Sequence, residues 1–197
     1  GGAVEGRSVE RLGRNLRSGS YRGTVRMVGT CLVRVERQLP WGQQVSEAVI
    51  DGRGRPLYSL DRTPGTVISS RWLPMAPGSC KASDLNGVVL SSQVGLNWQP
   101  PRGGWSPNAV IQREQWSDGS VNGIALSSYG GVGDTASYSG RLKLDPDSCW
   151  GGLVEQDAKG VVYNYRALVV NGRGGARGYL YLQSDPDNLT VGWLVRD

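Results

Sequence analysis

The 197-residue sequence contains no histidine and no phenylalanine. Without an imidazole, the chain can form no Ser-His-Asp triad, no Cys-His pair and no histidine metal site. Three cysteines are too few for a thiolate-rich zinc site. The composition therefore excludes most hydrolase mechanisms, and we expect neither a metal nor a cofactor.

Long apolar runs are also missing. The longest one covers the four residues 167–170, whereas a transmembrane helix needs roughly 20. Apolar residues make up only 38% of the chain, but seven Trp and eight Tyr supply bulk for a core. We expect a folded chain without a transmembrane segment.

Lysine is scarce, arginine is abundant, and the net positive charge lies at the start of the chain. Residues 1–37 carry eight Arg against three Glu, whereas the remaining residues are balanced. This asymmetry indicates an acidic partner. We expect an acidic protein surface rather than nucleic acid, because a nucleic-acid-binding domain carries its charge across the whole binding face. The alternative is a solvated basic face. The candidate partner-binding residues are Arg7, Arg11, Arg14, Arg17, Arg22 and Arg26.

Residues 1–19 have the spacing of a short amphipathic helix. Val9, Leu12 and Leu16 recur at intervals of three and four residues. Three of the arginines named above share the opposite face of such a helix. We therefore predict a basic amphipathic helix over 1–19, followed by a single antiparallel β domain over 20–197.

From residue 20 onward, short runs of alternating apolar and polar residues are separated by turn sequences. Within 109–128, Asp118-Gly119 joins two such runs, which is a strong hairpin signal. The later runs are separated by DPDS, DAKG, NGRGG and DPDN. This spacing predicts an all-β fold, either an antiparallel up-and-down barrel or a β-sandwich. The last six strands have the pattern of a simple meander.

The three cysteines allow at most one intramolecular disulfide. Cys31 alternates with Val33 and Val35, so we expect its thiol to be free and in the core. Cys80 and Cys149 lie in turn sequences and are the pair we expect to be bridged. A bridge indicates a secreted, periplasmic or organelle-lumen protein, whereas three free thiols would fit a reducing compartment.

Glycines and aromatic residues share the predicted inward face of the strands. Glycines there leave space that aromatic rings can line, which is typical of a pocket for a small hydrophobic molecule. The alternative is that the rings simply fill the core. The candidate ligand-binding residues are Tyr21, Trp116, Tyr138, Trp150, Tyr163, Tyr165 and Trp193.

Two carboxylates are candidates for catalysis. Alternation places Glu114 on the inward side with Trp116, and places Glu155 on the solvent side, opposite an inward Val154. A carboxylate pair across a cleft is sufficient for glycoside hydrolysis. A glycoside hydrolase or a carbohydrate-binding module is thus one alternative to a non-catalytic binding protein, and a structural subunit of a larger assembly is another. The sequence leaves the oligomeric state open.

The start of the β region resembles the lipocalin-like (calycin) family. There, a short helix leads into a G-x-W motif and an up-and-down barrel, and an arginine near the end of the barrel packs across the Trp. Here Gly19-Ser20-Tyr21 stands at the motif, with Tyr21 in place of the Trp and Arg196 as the candidate arginine. The resemblance implies a small hydrophobic or pigment-like ligand and a non-catalytic binding role.

Overall fold

A computed structural model describes residues 1–75, 78–100, 103–171 and 177–194. The regular structure in these ranges is β-strand, apart from one short 3-10 helix over Ala82–Leu85. The predicted all-β class is confirmed. No helix in the described ranges is long and apolar enough to cross a membrane.

The chain divides into two compact units, where the sequence predicts one β domain from residue 20 onward. The first unit consists of Gly1–Glu10 and Arg17–Leu73, and the second of Arg11–Leu16 and Pro74–Asp197.

The first unit contains a six-stranded sheet whose strands follow one another in chain order. The strands are β1 (Gly2–Leu12), β2 (Asn15–Gly29), β3 (Leu32–Leu39), β4 (Gly42–Ile50), β5 (Pro56–Asp61) and β6 (Ser69–Arg71). Pairing is antiparallel from β2 to β6. Val35, Leu39 and Ala48 are the buried apolar residues of this sheet, so its core is small.

The predicted N-terminal helix over 1–19 is wrong. Residues Gly2–Leu12 and Asn15–Gly29 are neighbouring strands, and Gly13 between them has a φ of 56°. An isolated helix of about ten residues is marginal in water, whereas pairing between the two strands satisfies the backbone of both. Gly6 of β1 permits this close approach, because a Cβ at that position would lie 2.6 Å from the Tyr21 hydroxyl.

The second unit contains a closed antiparallel barrel of eight strands, each paired with its neighbour along the chain and the last with the first. The predicted barrel is confirmed, and so is the meander of the last six strands. The strands are β7 (Gly87–Gln99), β8 (Gly104–Ser117), β9 (Ser120–Tyr129), β10 (Val132–Leu144), β11 (Trp150–Asp157), β12 (Val162–Asn171), β13 (Arg177–Gln183) and β14 (Asn188–Leu194).

The two ends of the barrel differ in chemistry. At the capped end, Leu85 of the 3-10 helix packs with Trp116 and Leu194, and each is at most 1% exposed. At the opposite end, which we call the polar end, the inward side chains are hydrophilic or phenolic. They include Asn108, Tyr129, Asp157, Tyr163, Gln183 and Thr190.

The predicted disulfide between Cys80 and Cys149 is confirmed. It is buried against Val169 and lies at the capped end, since Cys80 precedes the 3-10 helix and Cys149 precedes β11. Cys31 has a free thiol, as expected, but its predicted place in the core is wrong. The residue is exposed because it lies in the turn between β2 and β3.

Removing the bridge by Cys80→Ser with Cys149→Ser should lower the free energy of unfolding. The bridged cysteines are 69 residues apart, and a loop of that length corresponds to about 4 kcal/mol of lost constraint on the unfolded chain. Urea unfolding measures this change. Cys31→Ser is the control and should unfold like the parent protein; equal losses in both variants would contradict the assignment.

Candidate functional site

Glu114 lies inside the barrel with a relative exposure of 0%, on the inward face of β8 as alternation predicts. Four side chains donate hydrogen bonds to its carboxylate. They are Ser91 Oγ and Trp116 Nε1, both at 2.6 Å, Tyr138 OH at 3.2 Å, and Tyr179 OH at 3.2 and 3.1 Å from the two oxygens. Burial raises the pKa of Glu114, and these hydrogen bonds oppose the rise.

Tyrosine rings surround this carboxylate. The rings of Tyr165 and Tyr181 meet edge to face with centroids 5.3 Å apart, and those of Tyr179 and Tyr181 are 5.1 Å apart. The Tyr181 hydroxyl donates to Gln112 Oε1 at 3.2 Å. Burial raises the pKa of all three phenols. The middle of the barrel is thus a hydrogen-bonded layer of rings.

Inward glycines make room for these rings. Gly123 is paired with Tyr138, and a Cβ on it would lie 2.4 Å from the ring. Gly192 is paired with Tyr181, where the same distance would be 2.2 Å. The space that such glycines leave is therefore occupied by tyrosine side chains of the barrel itself.

The orientation of β11 is the reverse of the sequence prediction. Leu153 and Glu155 point inward with exposures of 1% and 4%, whereas Val154 is 47% exposed. Glu155 fits because it is paired with Gly140, where a Cβ would lie 2.8 Å from the Glu155 Cγ. Burial raises the pKa of Glu155 well above 4.5, Glu114 adds to the rise, and a hydrogen bond with Tyr165 opposes it.

Three carboxylates lie toward the polar end of their strands: Glu155, Asp157 and Asp134. Asp134 Oδ2 accepts a hydrogen bond from Lys159 Nζ at 2.5 Å. Burial raises the pKa of Tyr129, and all three carboxylates add to this rise. The three carboxylates therefore act electrostatically on the same phenol.

Two buried amide oxygens at this side of the barrel lack a hydrogen-bond partner among the described residues. Gln93 of β7 is 3% exposed, and its Oε1 is unpaired. Its side chain also interacts with the Tyr165 hydroxyl. Asn97, two inward positions further along the strand, has a buried and unpaired Oδ1. Buried acceptors are rarely unpaired in folded proteins, so these oxygens mark a place for a hydrogen-bond donor.

Four of the predicted ligand-binding residues lie inside the barrel. Trp116, Tyr138 and Tyr165 are buried in its middle and capped layers. Tyr163 is half-buried at the polar end, where its hydroxyl donates to Asp157 Oδ2 at 3.2 Å.

The other three are elsewhere. Trp150 and Trp193 are on the outer face of the barrel, and Trp193 is 37% exposed. Tyr21 belongs to the first unit, where the Arg37 guanidinium lies 5.6 Å from its ring centroid. Arg196, the arginine expected from the resemblance, lies outside the described residues.

Sequence reasoning missed several residues of this interior. Tyr179, Tyr181 and Gln183 could have been found, because strict alternation in GYLYLQ places them on one face. Ser91 and Gln93 gave no such signal, since small polar residues in a strand usually face solvent.

The candidate partner-binding arginines do not share one face. Arg11 donates to the backbone carbonyls of Asp185 and Asn188, and Arg14 pairs with Asp187 at 2.9 Å.

In the first unit, Arg17 pairs with Glu10 at 3.0 Å and lies over the Trp41 ring, and Arg26 pairs with Glu36 at 3.7 Å. Arg7 and Arg22 lie on β1 and β2, with no ion pair among the described residues. Four of the six positive charges are thus engaged within the chain.

A contiguous set of apolar side chains covers the outer surface of β14, β7, β8 and β9, which are adjacent in the barrel. We call it the outer apolar face. Its members are Leu90, Val94, Ile111, Ile124, Leu126, Val191 and Trp193, each between 37% and 72% exposed. A shallow groove across β8, β9 and β10 begins on it and is lined by Ile111, Leu126 and Thr135.

Replacing each buried carboxylate by an amide should have opposite effects. Glu114→Gln replaces one acceptor oxygen by an amide NH2 group that faces the side chains donating to Glu114. We therefore expect a loss of about 1–3 kcal/mol in the free energy of unfolding. Glu155→Gln removes a carboxyl whose folded pKa is raised by burial, so it should increase the free energy of unfolding at neutral pH.

The pH dependence checks the second effect. A raised folded pKa means that the folded chain binds the proton more tightly, so stability falls as pH rises from 4.5 through the folded pKa. Urea unfolding between pH 4 and 8 should show a shallower decline in Glu155→Gln than in the parent protein. Identical slopes would show that Glu155 has no raised pKa.

A barrel fold does not by itself specify a function, because barrels of this kind support unrelated activities. No group of three or more His, Cys, Asp or Glu in the described ranges is arranged to hold a metal ion. Comparison of the chain with protein-family models, with curated proteins and with solved structures finds no match.

Proposed function

We propose that the protein is a non-catalytic binding protein that holds a small molecule at the polar end of its barrel. The observation that carries this proposal is the unpaired Oε1 of Gln93, a residue only 3% exposed. The capped end is closed by apolar side chains and the middle is filled by tyrosines, so we place the ligand at the polar end. An eight-stranded up-and-down barrel of calycin-like architecture supports this role.

The ligand should form hydrogen bonds rather than be purely hydrophobic. Its nearest acceptors are the amide oxygens of Gln93 and Asn97, and an apolar molecule would leave both unpaired at a cost of about 1–3 kcal/mol each. The hydrophobic ligand expected from composition is therefore replaced in this proposal by a polar one.

A carboxylate-pair hydrolase is less well supported by the geometry. A catalytic carboxyl has to come within hydrogen-bond reach of the scissile oxygen. Glu114 is fully buried, and its two oxygens already accept from four side chains of the barrel. We assign it a structural role.

The buried Cys80–Cys149 bridge favours an oxidising location. We propose that the protein works in a secreted, periplasmic or organelle-lumen environment, where a stable disulfide persists. The closed barrel and its bridge would then protect a bound molecule outside the cytosol.

Native mass spectrometry of freshly purified protein tests the proposal, together with Gln93→Leu. We expect a small-molecule adduct on the parent protein that disappears on denaturation and is lost in Gln93→Leu. Once ligand is removed by dialysis, Gln93→Leu should unfold within about 1 kcal/mol of the parent, because it removes the unpaired Oε1 but also the hydrogen bond with Tyr165.

Gln115→Leu is the matched control, because Gln115 is exposed on the neighbouring strand β8. It should keep the adduct. A parent protein without any adduct after expression in its source environment, or an adduct that survives Gln93→Leu, would refute the proposed site.

The outer apolar face supports a second candidate function, assembly with another copy of this chain. Monomeric proteins rarely expose large contiguous apolar patches, and this face presents seven large apolar side chains on four adjacent strands. Within the described residues, the face carries Arg113 and no carboxylate. A second copy presenting the same apolar face therefore complements it better than an acidic protein surface.

Sedimentation analysis tests this assembly. The parent protein should sediment as a dimer, and Leu90→Glu with Ile111→Glu should sediment as a monomer, because paired faces would bury the added charges. Val154→Glu is the control, since Val154 is 47% exposed on β11, outside this face. A monomeric parent protein would rule out the dimer.

A further inference from the structure

We propose that the molecule held at the polar end is an organic cation, bound between the carboxylates of Glu155 and Asp157 and the phenol ring of Tyr129. This inference rests on the proposed function, because it names the chemical class of that ligand.

The charges of the polar end favour a cation. Lys159 is the cationic side chain described beside the carboxylates of the polar end, and it pairs with Asp134 at 2.5 Å. Neither Glu155 nor Asp157 forms an ion pair with a described residue, and Asp157 accepts hydrogen bonds from two backbone N–H groups and the Tyr163 hydroxyl. A cation would be attracted to Asp157 and would favour ionisation of Glu155, whereas an anion would be repelled by Asp157.

The aromatic groups of this end favour an organic cation over a metal ion. Tyr129 and Tyr163 interact with each other and both interact with Asp157 and Asp134. Tyr165 interacts with Glu155 and Tyr129. Phenol faces attract ammonium and guanidinium groups within about 6 Å of the ring centroid. The oxygens here are too dispersed among rings to form the compact set of ligands that a metal requires.

The unpaired amide oxygens supply the remaining recognition. Gln93 Oε1 and Asn97 Oδ1 are acceptors, so a cation that also carries an N–H or O–H group would satisfy them. An amine or an amino alcohol meets both requirements, namely positive charge and a hydrogen-bond donor.

Binding should release a proton from Glu155. The titratable groups that interact with it are Glu114 from β8, Tyr129 from β9, Tyr138 from β10, Tyr165 from β12, and Tyr179 and Tyr181 from β13, and none of them is cationic. Burial raises the pKa of Glu155, which favours its protonated form in the free protein. A cation stabilises the carboxylate, and the displaced proton passes to the buffer. Affinity should therefore decrease as pH falls.

Calorimetric titration with choline, and with its uncharged analogue 3,3-dimethylbutan-1-ol, tests the cation. We expect choline to bind about tenfold more tightly than the analogue, since both have the same shape and hydroxyl group. Glu155→Gln should weaken choline binding by about the same factor while leaving the fold intact. Glu5→Gln removes the same charge from an exposed position of β1 and should bind like the parent.

Repeating the choline titration in two buffers of different ionisation enthalpy measures the released proton. The parent protein should release up to one proton per choline, and Glu155→Gln should release none. A structural role for Glu155 alone would change affinity without changing this proton count.

Equal affinity for choline and its analogue, or no binding of choline at all, would overturn the cation proposal. If the native adduct is then an uncharged molecule that Gln93→Leu removes, the proposed function stands and only the ligand class is wrong. If no adduct exists either, both proposals fail.

Discussion

Glu114 carries two carboxylate oxygens into a fully buried position, and the surrounding barrel is arranged to satisfy them. Because an unsatisfied charge in the interior would cost several kcal/mol, the donors around it have little freedom. Tyr138 and Tyr179 point their hydroxyls at the carboxylate from strands on different sides of the barrel. The network therefore sets ring orientations across the interior, and the remaining tyrosines pack against rings that are already fixed. A purely apolar core would allow many more arrangements of the same volume.

The packing of the tyrosine rings explains why glycines occur on the inward face of the barrel. A ring that crosses the barrel needs a neighbouring strand without a side chain, and Gly123 and Gly192 lie opposite such rings. The Glu155 side chain is accommodated in the same way, since it is paired with Gly140 on the neighbouring strand. The high glycine content of the chain therefore reflects the packing of large polar side chains in a narrow barrel as well as its many turns.

Signals carried by adjacent residues predicted much of this fold. The remaining features depend on pairing between residues that are far apart in the chain. Turn chemistry located the barrel strands and the Cys80–Cys149 pair, and alternation placed Glu114 inward, because these signals depend on a few adjacent residues. The predicted helix over 1–19 was wrong because three apolar residues are too few to distinguish a helical spacing from an extended strand. The strand forms because it pairs with β2, which lies outside the local pattern. Glu155 was assigned to the wrong side of β11 because valine was favoured over glutamate for the interior. Nothing in the sequence signals a glycine on the neighbouring strand that makes room for the carboxylate.

The capped end has a kinetic consequence. Among the described residues, Leu85 and the apolar layer beneath it close one side of the barrel, so the proposed ligand would enter and leave at the polar end. A change at the rim, for example at the Lys159–Asp134 pair, would then slow or speed arrival and departure by similar factors. Residence time could be tuned there with little effect on equilibrium occupancy, while side chains deeper inside would control how tightly the molecule is held.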